Sequence, residues 1–241
     1  MLSIKKSIFV VLSVLVALQV TPTLSNGLTK KEVSESVGKL NTNANLDVYL
    51  NMSLKSLSPE LKKKYDDFIL KNLNDSLQNF WSKLKRPDLT SFFSEKVAMK
   101  TNSSDDWFKA GNRYYYSVQF NKDKSEIEVL FMSAIRCFEK AVYVNPKNTD
   151  AEIMLASCFV EGTQNPMEGV SRLKKIEQKD SNNVKLQLAF AFFSEKSGQL
   201  DKAISRFNKV LMIDSTQTEV YLHLADAYEQ QGKKDQTIAM L

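Results

Sequence analysis

Glycine and proline are scarce in this chain, with 7 glycines and 5 prolines among 241 residues. A sheet protein of this length needs many turns, and turns are built largely from these two residues. Their scarcity therefore argues against a β-sandwich or barrel and favours helices joined by short connections. The hydrophobic fraction of 43% and the charged fraction of 25% are ordinary for a globular protein with a buried core.

Residues that carry chemistry are equally scarce. The chain has one histidine, His223, and two cysteines, Cys137 and Cys158. No group of histidine, cysteine and acidic residues has the spacing of a metal site, and neither a glycine-rich phosphate loop nor a nucleophile elbow occurs. The sequence therefore predicts a protein that is not an enzyme and that uses no cofactor or metal. The two cysteines could pair in an oxidising compartment, but each precedes a core phenylalanine, which favours two free thiols.

Charge of one sign is also lacking. The net charge is +5, and lysines are interspersed with acidic residues along the chain. A nucleic-acid-binding protein would show a basic stripe or patch. The sequence therefore predicts that the partners are other proteins and not nucleic acid.

The N-terminus has the pattern of a secretory signal. Lys5 and Lys6 precede an apolar run over residues 8–20, and small and polar residues follow. As a helix this run would rise about 20 Å, which is less than the roughly 30 Å of the bilayer hydrocarbon core. We therefore predict a signal peptide over residues 1–25 and an exported protein, periplasmic or elsewhere in the cell envelope. The alternative is an uncleaved anchor over residues 1–24 at the inner membrane, and only then would the protein be attached to a membrane.

Residues 26–104 have the character of a separate helical region. Ser58 is a good N-cap, and Pro59 suits a first helical turn. Apolar residues then recur at three- and four-residue steps, as on one face of an amphipathic helix. They are Leu61, Tyr65, Phe68, Ile69, Leu73, Leu77, Phe80, Trp81 and Leu84.

The same pattern predicts where the helices of this region end. One long helix should end near Lys85, because Pro87 follows, and a second should begin with Asp88 as its cap. Two weaker helices are predicted upstream, over Thr29–Leu40 and Leu46–Leu57.

A repeating frame begins at Trp107. Gly198 is followed 34 residues later by Gly232, and Ala191 by Ala225 at the same step. Further back along the chain, small and large residues recur at steps of 34 or 35. The small ones are Ala134, Gly169 and Ala203, and the large ones are Phe138, Leu173 and Phe207. Self-similarity of this period is typical of arrays in which each unit is a pair of antiparallel helices.

The first unit resembles the tetratricopeptide repeat family. Trp107, Ala110, Gly111 and Tyr114 follow the pattern Trp-x2-Leu-Gly-x2-Tyr with alanine in place of leucine, and Ala134, Phe138 and Pro146 follow Ala-x3-Phe…Pro. About eleven residues more than the family frame lie between the two halves, which we interpret as lengthened helix ends and a polar loop. The resemblance implies an all-α solenoid over residues 105–241, preceded by a short N-terminal helical region. Its four units would be about 105–148, 149–183, 184–217 and 218–241, the last incomplete.

The resemblance also implies a binding surface. In this family the first helices line a concave groove that binds a peptide or a helix. The lining positions would be Phe108, Asn112, Tyr115, Ile153, Ser157, Lys185, Leu188, Phe192, Glu195, Leu222, Asp226 and Glu229. They form an apolar stripe that becomes acidic towards the C-terminal end, which suits a partner with apolar anchors and basic residues. The groove could instead be filled by the amphipathic helix of the N-terminal region.

The function expected from these features is a non-enzymatic scaffold or adaptor for other proteins. A membrane-anchored assembly factor or accessory subunit of an envelope complex is the alternative, and a fragment of a larger enzyme is a third possibility. No partner identity follows from the sequence.

The N-terminal prediction can be checked on the natural protein. If residues 1–25 are a signal peptide, intact-mass measurement of protein from its own cell envelope should show a chain that starts near Asn26. A chain that retains Lys5 and Lys6 would contradict cleavage and would favour the anchor.

Overall fold

A computed structural model of the chain describes residues 50–241. The predicted signal peptide and the predicted helix Thr29–Leu40 lie outside the described residues. The predicted helix Leu46–Leu57 lies partly within them, and residues 50–55 are helical.

Helices make up almost all of the described range, which contains no strand. After residues 50–55, they are α1 (Pro59–Leu70), α2 (Asn74–Lys83), α3 (Pro87–Thr101), α4 (Ser104–Ser117), α5 (Lys124–Val144), α6 (Thr149–Gly162), α7 (Pro166–Lys179), α8 (Val184–Lys196), α9 (Leu200–Ile213), α10 (Glu219–Gln230) and α11 (Lys234–Met240), with a 3-10 turn at Val118–Phe120. Most helices pack chiefly on the next helix in the chain. The all-α prediction is therefore confirmed.

Four consecutive helix pairs form the predicted repeat array: α4 with α5, α6 with α7, α8 with α9, and α10 with α11. Trp107 and Tyr114 are buried in α4, and Phe138 is fully buried in α5. The extra residues of the first unit lengthen the start of α5 and add the 3-10 turn after α4, as expected. The array is an α-solenoid.

One glycine ends the first helix of each of the last two units. Gly198 and Gly232 have φ of +74° and +73°, a conformation that glycine adopts without a steric penalty. After α8, the Gly198 N–H donates to the Glu195 carbonyl and the Gln199 N–H to the Ser194 carbonyl. This is the Schellman motif, and α10 ends in the same way. The two glycines recur because the same turn recurs.

The predicted long helix of the N-terminal region is wrong, because the chain turns at Asn72. This residue has φ of 52°, and the Leu73 N–H donates to the Phe68 carbonyl, so the turn has the same geometry as those at the two glycines. Asparagine tolerates the left-handed conformation better than other side chains that have a Cβ. The result is two helices, α1 and α2. Ser58 caps α1 as predicted, since its Oγ accepts from the Leu61 N–H at 3.3 Å.

Asp88 is not the cap of α3. The helix already begins at Pro87, and Arg86 occupies the cap position, where its side chain caps none of the backbone N–H groups of the first turn. Asp88 lies in the first turn instead, where its carboxylate accepts from Arg86 Nε at 3.0 Å and Nη2 at 2.6 Å. An acidic residue in the first turn is favoured by the helix dipole.

A second helix crosses a first helix very closely at Gly169. A Cβ added there would lie 2.3 Å from the backbone oxygen of Ala156 and 2.6 Å from Cγ2 of Val160. The equivalent positions in the neighbouring units are Ala134 and Ala203, both fully buried. The second unit therefore replaces alanine by glycine because α6 and α7 are too close for a methyl group.

The N-terminal helices extend the stack at α4. Helix α3 packs on both α2 and α4, and Glu95 of α3 is 3% exposed. Arg136 of α5 donates to both oxygens of Glu95, each at 2.9 Å, and the Tyr114 hydroxyl of α4 donates to one of them at 2.8 Å. Burial and then the Glu95 charge raise the pKa of Tyr114 well above its ordinary value, so this phenol stays a donor. One carboxylate thus joins three helices.

Replacing Gly169 by alanine should lower the free energy of unfolding by about 1–3 kcal/mol, because the contact is with backbone that cannot rotate away. Chemical denaturation followed by circular dichroism measures this. Ser171→Ala is the matched control, since Ser171 is exposed on the same helix, and it should stay within about 0.5 kcal/mol of the wild type. Equal stability of the two variants would contradict the close crossing.

Replacing Glu95 by glutamine should cost about 2–3 kcal/mol of stability. Loss of a fully buried partner costs about 3–5 kcal/mol, and the Arg136 side chain is 27% exposed, which reduces the effect. The control is Glu168→Gln, which breaks a partly exposed pair with Arg172 on one helix, 2.8 Å apart. That change should cost less than about 0.5 kcal/mol. If urea titrations gave similar losses in the free energy of unfolding for both variants, the three-helix contact would not be stabilising the fold.

Candidate functional site

The first helices of the units, α4, α6, α8 and α10, carry the predicted binding positions. We call the surface formed by these positions the inner face. Contacts join α4 to α6 and α6 to α8 directly. The inner face is therefore held in place by first helices that touch one another as well as by their second helices.

The N-terminal part of the inner face is half-buried and aromatic. Phe108, Asn112 and Tyr115 of α4 are each partly exposed. Phe108 packs on Phe138 with ring centroids 5.8 Å apart. The Tyr115 hydroxyl donates to Glu161 of α6. Burial, and then the Glu161 carboxylate, raise the pKa of Tyr115, so it is a neutral donor at physiological pH.

The predicted residues in the middle of the inner face are buried. Ile153 and Ser157 of α6 are buried, at 3% and 5% exposure. Ile153 packs among Ala156, Leu173 and Leu186. The Ser157 hydroxyl donates to the Ile153 carbonyl at 3.0 Å, within its own helix. Both residues are buried in the described structure, where they support the inner face from within, and their assignment to the binding surface stays a prediction.

The C-terminal part of the inner face carries exposed apolar side chains. Leu188 is half-buried, Phe192 is 38% exposed and Leu222 is 58% exposed. The inner edge of Phe192 packs on Phe207 of α9, with ring centroids 5.5 Å apart. Phe192 is thus anchored in the core on one side and open to solvent on the other.

Acidic side chains flank these apolar residues. Asp226 and Glu229 of α10 are exposed, and Glu195 of α8 is half-buried. Burial raises the pKa of Glu195, His223 opposes that shift, and the nearby Asp226 adds to it.

Lysines of α8 pair with acidic residues one unit earlier. Lys185 pairs with Asp150, and Lys196 pairs with Glu161 at 2.9 Å. Each pair spans 35 residues, so its two members stand at the same position of consecutive units. Lys185, which was predicted as a binding residue, therefore sits in an ion pair between units.

The sequence prediction missed Asp150, Glu161 and Lys196. The signal was present, because opposite charges occur at equivalent positions of adjacent repeats. Such pairs are exposed for the most part and contribute little stability each. These pairs neutralise Asp150 and Glu161. The acidic residues of the inner face outside the two lysine pairs are Glu195, Asp226 and Glu229.

The described residues contain no group of histidine, cysteine and acidic side chains arranged to hold a metal ion. Cys137 and Cys158 are free and buried, and burial raises the pKa of both thiols well above the ordinary value. None of the helices within residues 50–241 combines the length and hydrophobicity needed to cross a bilayer.

Comparisons with known proteins agree with this architecture. The family model of the tetratricopeptide repeat matches residues 195–241. TTC0263, a thermophilic TPR protein of Thermus thermophilus, superimposes with a TM-score of 0.53 at 14% identity, over 81% of this chain and 93% of that one. At this identity the likeness establishes the fold.

Two further solved structures superimpose with lower TM-scores. MamA from Desulfovibrio magneticus RS-1 gives a TM-score of 0.46 at 12% identity, over 70% of this chain and 89% of that one. YrrB, a TPR protein with an unusual peptide-binding site, gives 0.39 at 19% identity, over 73% and 88%. No curated protein matches the sequence.

Proposed function

We propose that the protein is a non-enzymatic scaffold or adaptor that binds a partner protein on its inner face; the match of residues 195–241 to the tetratricopeptide repeat and the solenoid fold support this. The partner segment is a helix or an extended peptide with apolar anchors and basic residues. One observation carries the proposal: Phe192 and Leu222 are exposed apolar side chains on adjacent first helices, next to unneutralised carboxylates.

An exposed apolar pair on a rigid surface suits an anchor residue of a partner. Phe192 is held by Phe207 and is therefore ordered before binding, which limits the entropy lost on association. Aromatic residues in such positions often contribute most of the binding energy. The carboxylates around the pair would select basic residues beside the anchor.

The described N-terminal helices leave this part of the inner face open. The main contacts of α1, α2 and α3 are with one another and with α4. Phe192 and Leu222 are exposed even with these helices in place. The idea that the amphipathic segment of the N-terminal region fills the groove therefore receives no support from the helices between residues 59 and 101.

The place of action proposed for the protein is the cell envelope. Its support is the charged and then apolar start of the sequence, with Lys5 and Lys6 before the run over residues 8–20. An exported scaffold would meet its partner outside the cytoplasm.

Replacing Leu222 by alanine should weaken binding of a basic amphipathic peptide about tenfold, because an anchor contact is lost. The probe is a fluorescently labelled synthetic peptide of alternating leucine and lysine blocks, and fluorescence anisotropy gives the Kd. Met212→Ala is the matched control: Met212 is 86% exposed on α9, outside the inner face, and its replacement should leave the Kd unchanged.

A second peptide, with glutamate in place of every lysine, tests the charge preference. It should bind at least tenfold more weakly than the basic peptide. Equal binding of the two peptides, or an equal loss in the Leu222 and Met212 variants, would argue against the inner face as the binding surface.

A further inference from the structure

The only histidine of the chain lies in the centre of the proposed binding surface. The His223 ring stacks on Phe207, with centroids 5.3 Å apart and planes 11° from parallel, and it meets Phe192 edge-on at 4.9 Å. Its Nδ1 is 3.6 Å from Oε2 of Glu195. The side chain is 37% exposed, so solvent protons reach it.

The charged groups near His223 are acidic. From α8 it faces Glu195, whose pKa is influenced by His223 and by Asp226. From α9 it faces Phe207, which carries no charge. Arg206 of the same helix donates to Glu177 and Gln187 instead. On its own helix the nearest acidic residues in sequence are Glu219 and Asp226.

The other cations of α8 and α9 are directed elsewhere. Lys185 and Lys196 pair with acidic residues of α6, Lys202 donates to Gln199, and Lys209 acts on the pKa of Glu177. A proton on His223 would therefore add a positive charge to a surface whose acidic groups, Glu195 and Asp226, are otherwise available to a partner.

We propose that His223 makes partner binding on the inner face depend on pH, so that a cationic partner is held less tightly when the imidazole is protonated. The inference rests on the proposed function, and it adds regulation to the same surface. Histidine is the side chain whose charge ordinarily changes between pH 5 and 8.

Two effects of protonation act in the same direction. The imidazolium repels a lysine or arginine of the partner, and it attracts Glu195, which is then less available to that residue. The stack between His223 and Phe207 tolerates the charge, because an aromatic face attracts a cation. Protonation thus changes the charge of the surface without removing the packing that holds Phe192.

The test uses the full-length chain and the labelled leucine–lysine peptide described above, at constant ionic strength. The Kd should be about fivefold higher at pH 5.5 than at pH 7.5, which is the effect expected for one added like charge roughly 6–8 Å from a ligand cation at a partly solvated surface. His223→Gln should remove this difference, because glutamine is neutral at both values.

The glutamine variant also separates His223 from the carboxylates. If its affinity still falls fivefold at pH 5.5, titration of Glu195 or Asp226 is responsible and the inference is wrong. If wild type binds equally at both pH values, the inference is also wrong while the proposed function stands. Absence of peptide binding at every pH would overturn both.

A direct measurement complements the binding curve. Because the chain has a single histidine, its imidazole gives one set of side-chain NMR signals in a protein without a histidine tag. Saturation with the peptide should move the midpoint of that titration to lower pH, by linkage. An unchanged midpoint in the presence of bound peptide would contradict the proposal.

Discussion

The close crossing of the helices within a unit is the constraint on which the rest of the structure depends. Gly169 shows it most clearly, since a single methyl group there would meet backbone atoms of α6. The first helix of that unit, α6, also touches the first helices on both sides of it, α4 and α8. A continuous inner face is a consequence of that packing. Bulky residues in place of the small ones would force the helices apart, and the inner face would then no longer be continuous.

The sequence predicts the array well because its signals are local and repeated. Gly198 and Gly232 mark turns that need a left-handed residue, and the small and large positions recur in register with them. The same reasoning fails at Asn72, because the apolar period continues through the turn from Phe68 to Leu73. A Schellman turn keeps both helices on one apolar face, so periodicity alone cannot distinguish it from a straight helix. The left-handed conformation of Asn72 is what distinguishes two helices from one straight helix here.

The binding surface is harder to predict, because exposure depends on the neighbouring units. The register of the family assigns Ser157 and Phe192 to equivalent places on first helices, yet Ser157 is buried and Phe192 is open to solvent. Their difference comes from what packs around α6 and α8, which no single repeat encodes. The charge pairs are easier to predict from the sequence than the exposed surface is, but harder than the repeated turns. Asp150 with Lys185 could be found by comparing equivalent positions, since both members are visible in the sequence.

The contact at Glu95 fixes the position of α3 at the end of the stack, away from the exposed part of the inner face. A stack of helix pairs exposes an apolar end, and the first end here is covered by α3, which inserts Glu95 between Tyr114 and Arg136. An apolar interface would allow α3 to pack in several positions. A buried carboxylate that accepts from three donors keeps all three hydrogen bonds in only one position. The polar contact therefore fixes the N-terminal helices at the end of the stack. With α3 held there, the described N-terminal helices leave side chains of α8 and α10 exposed.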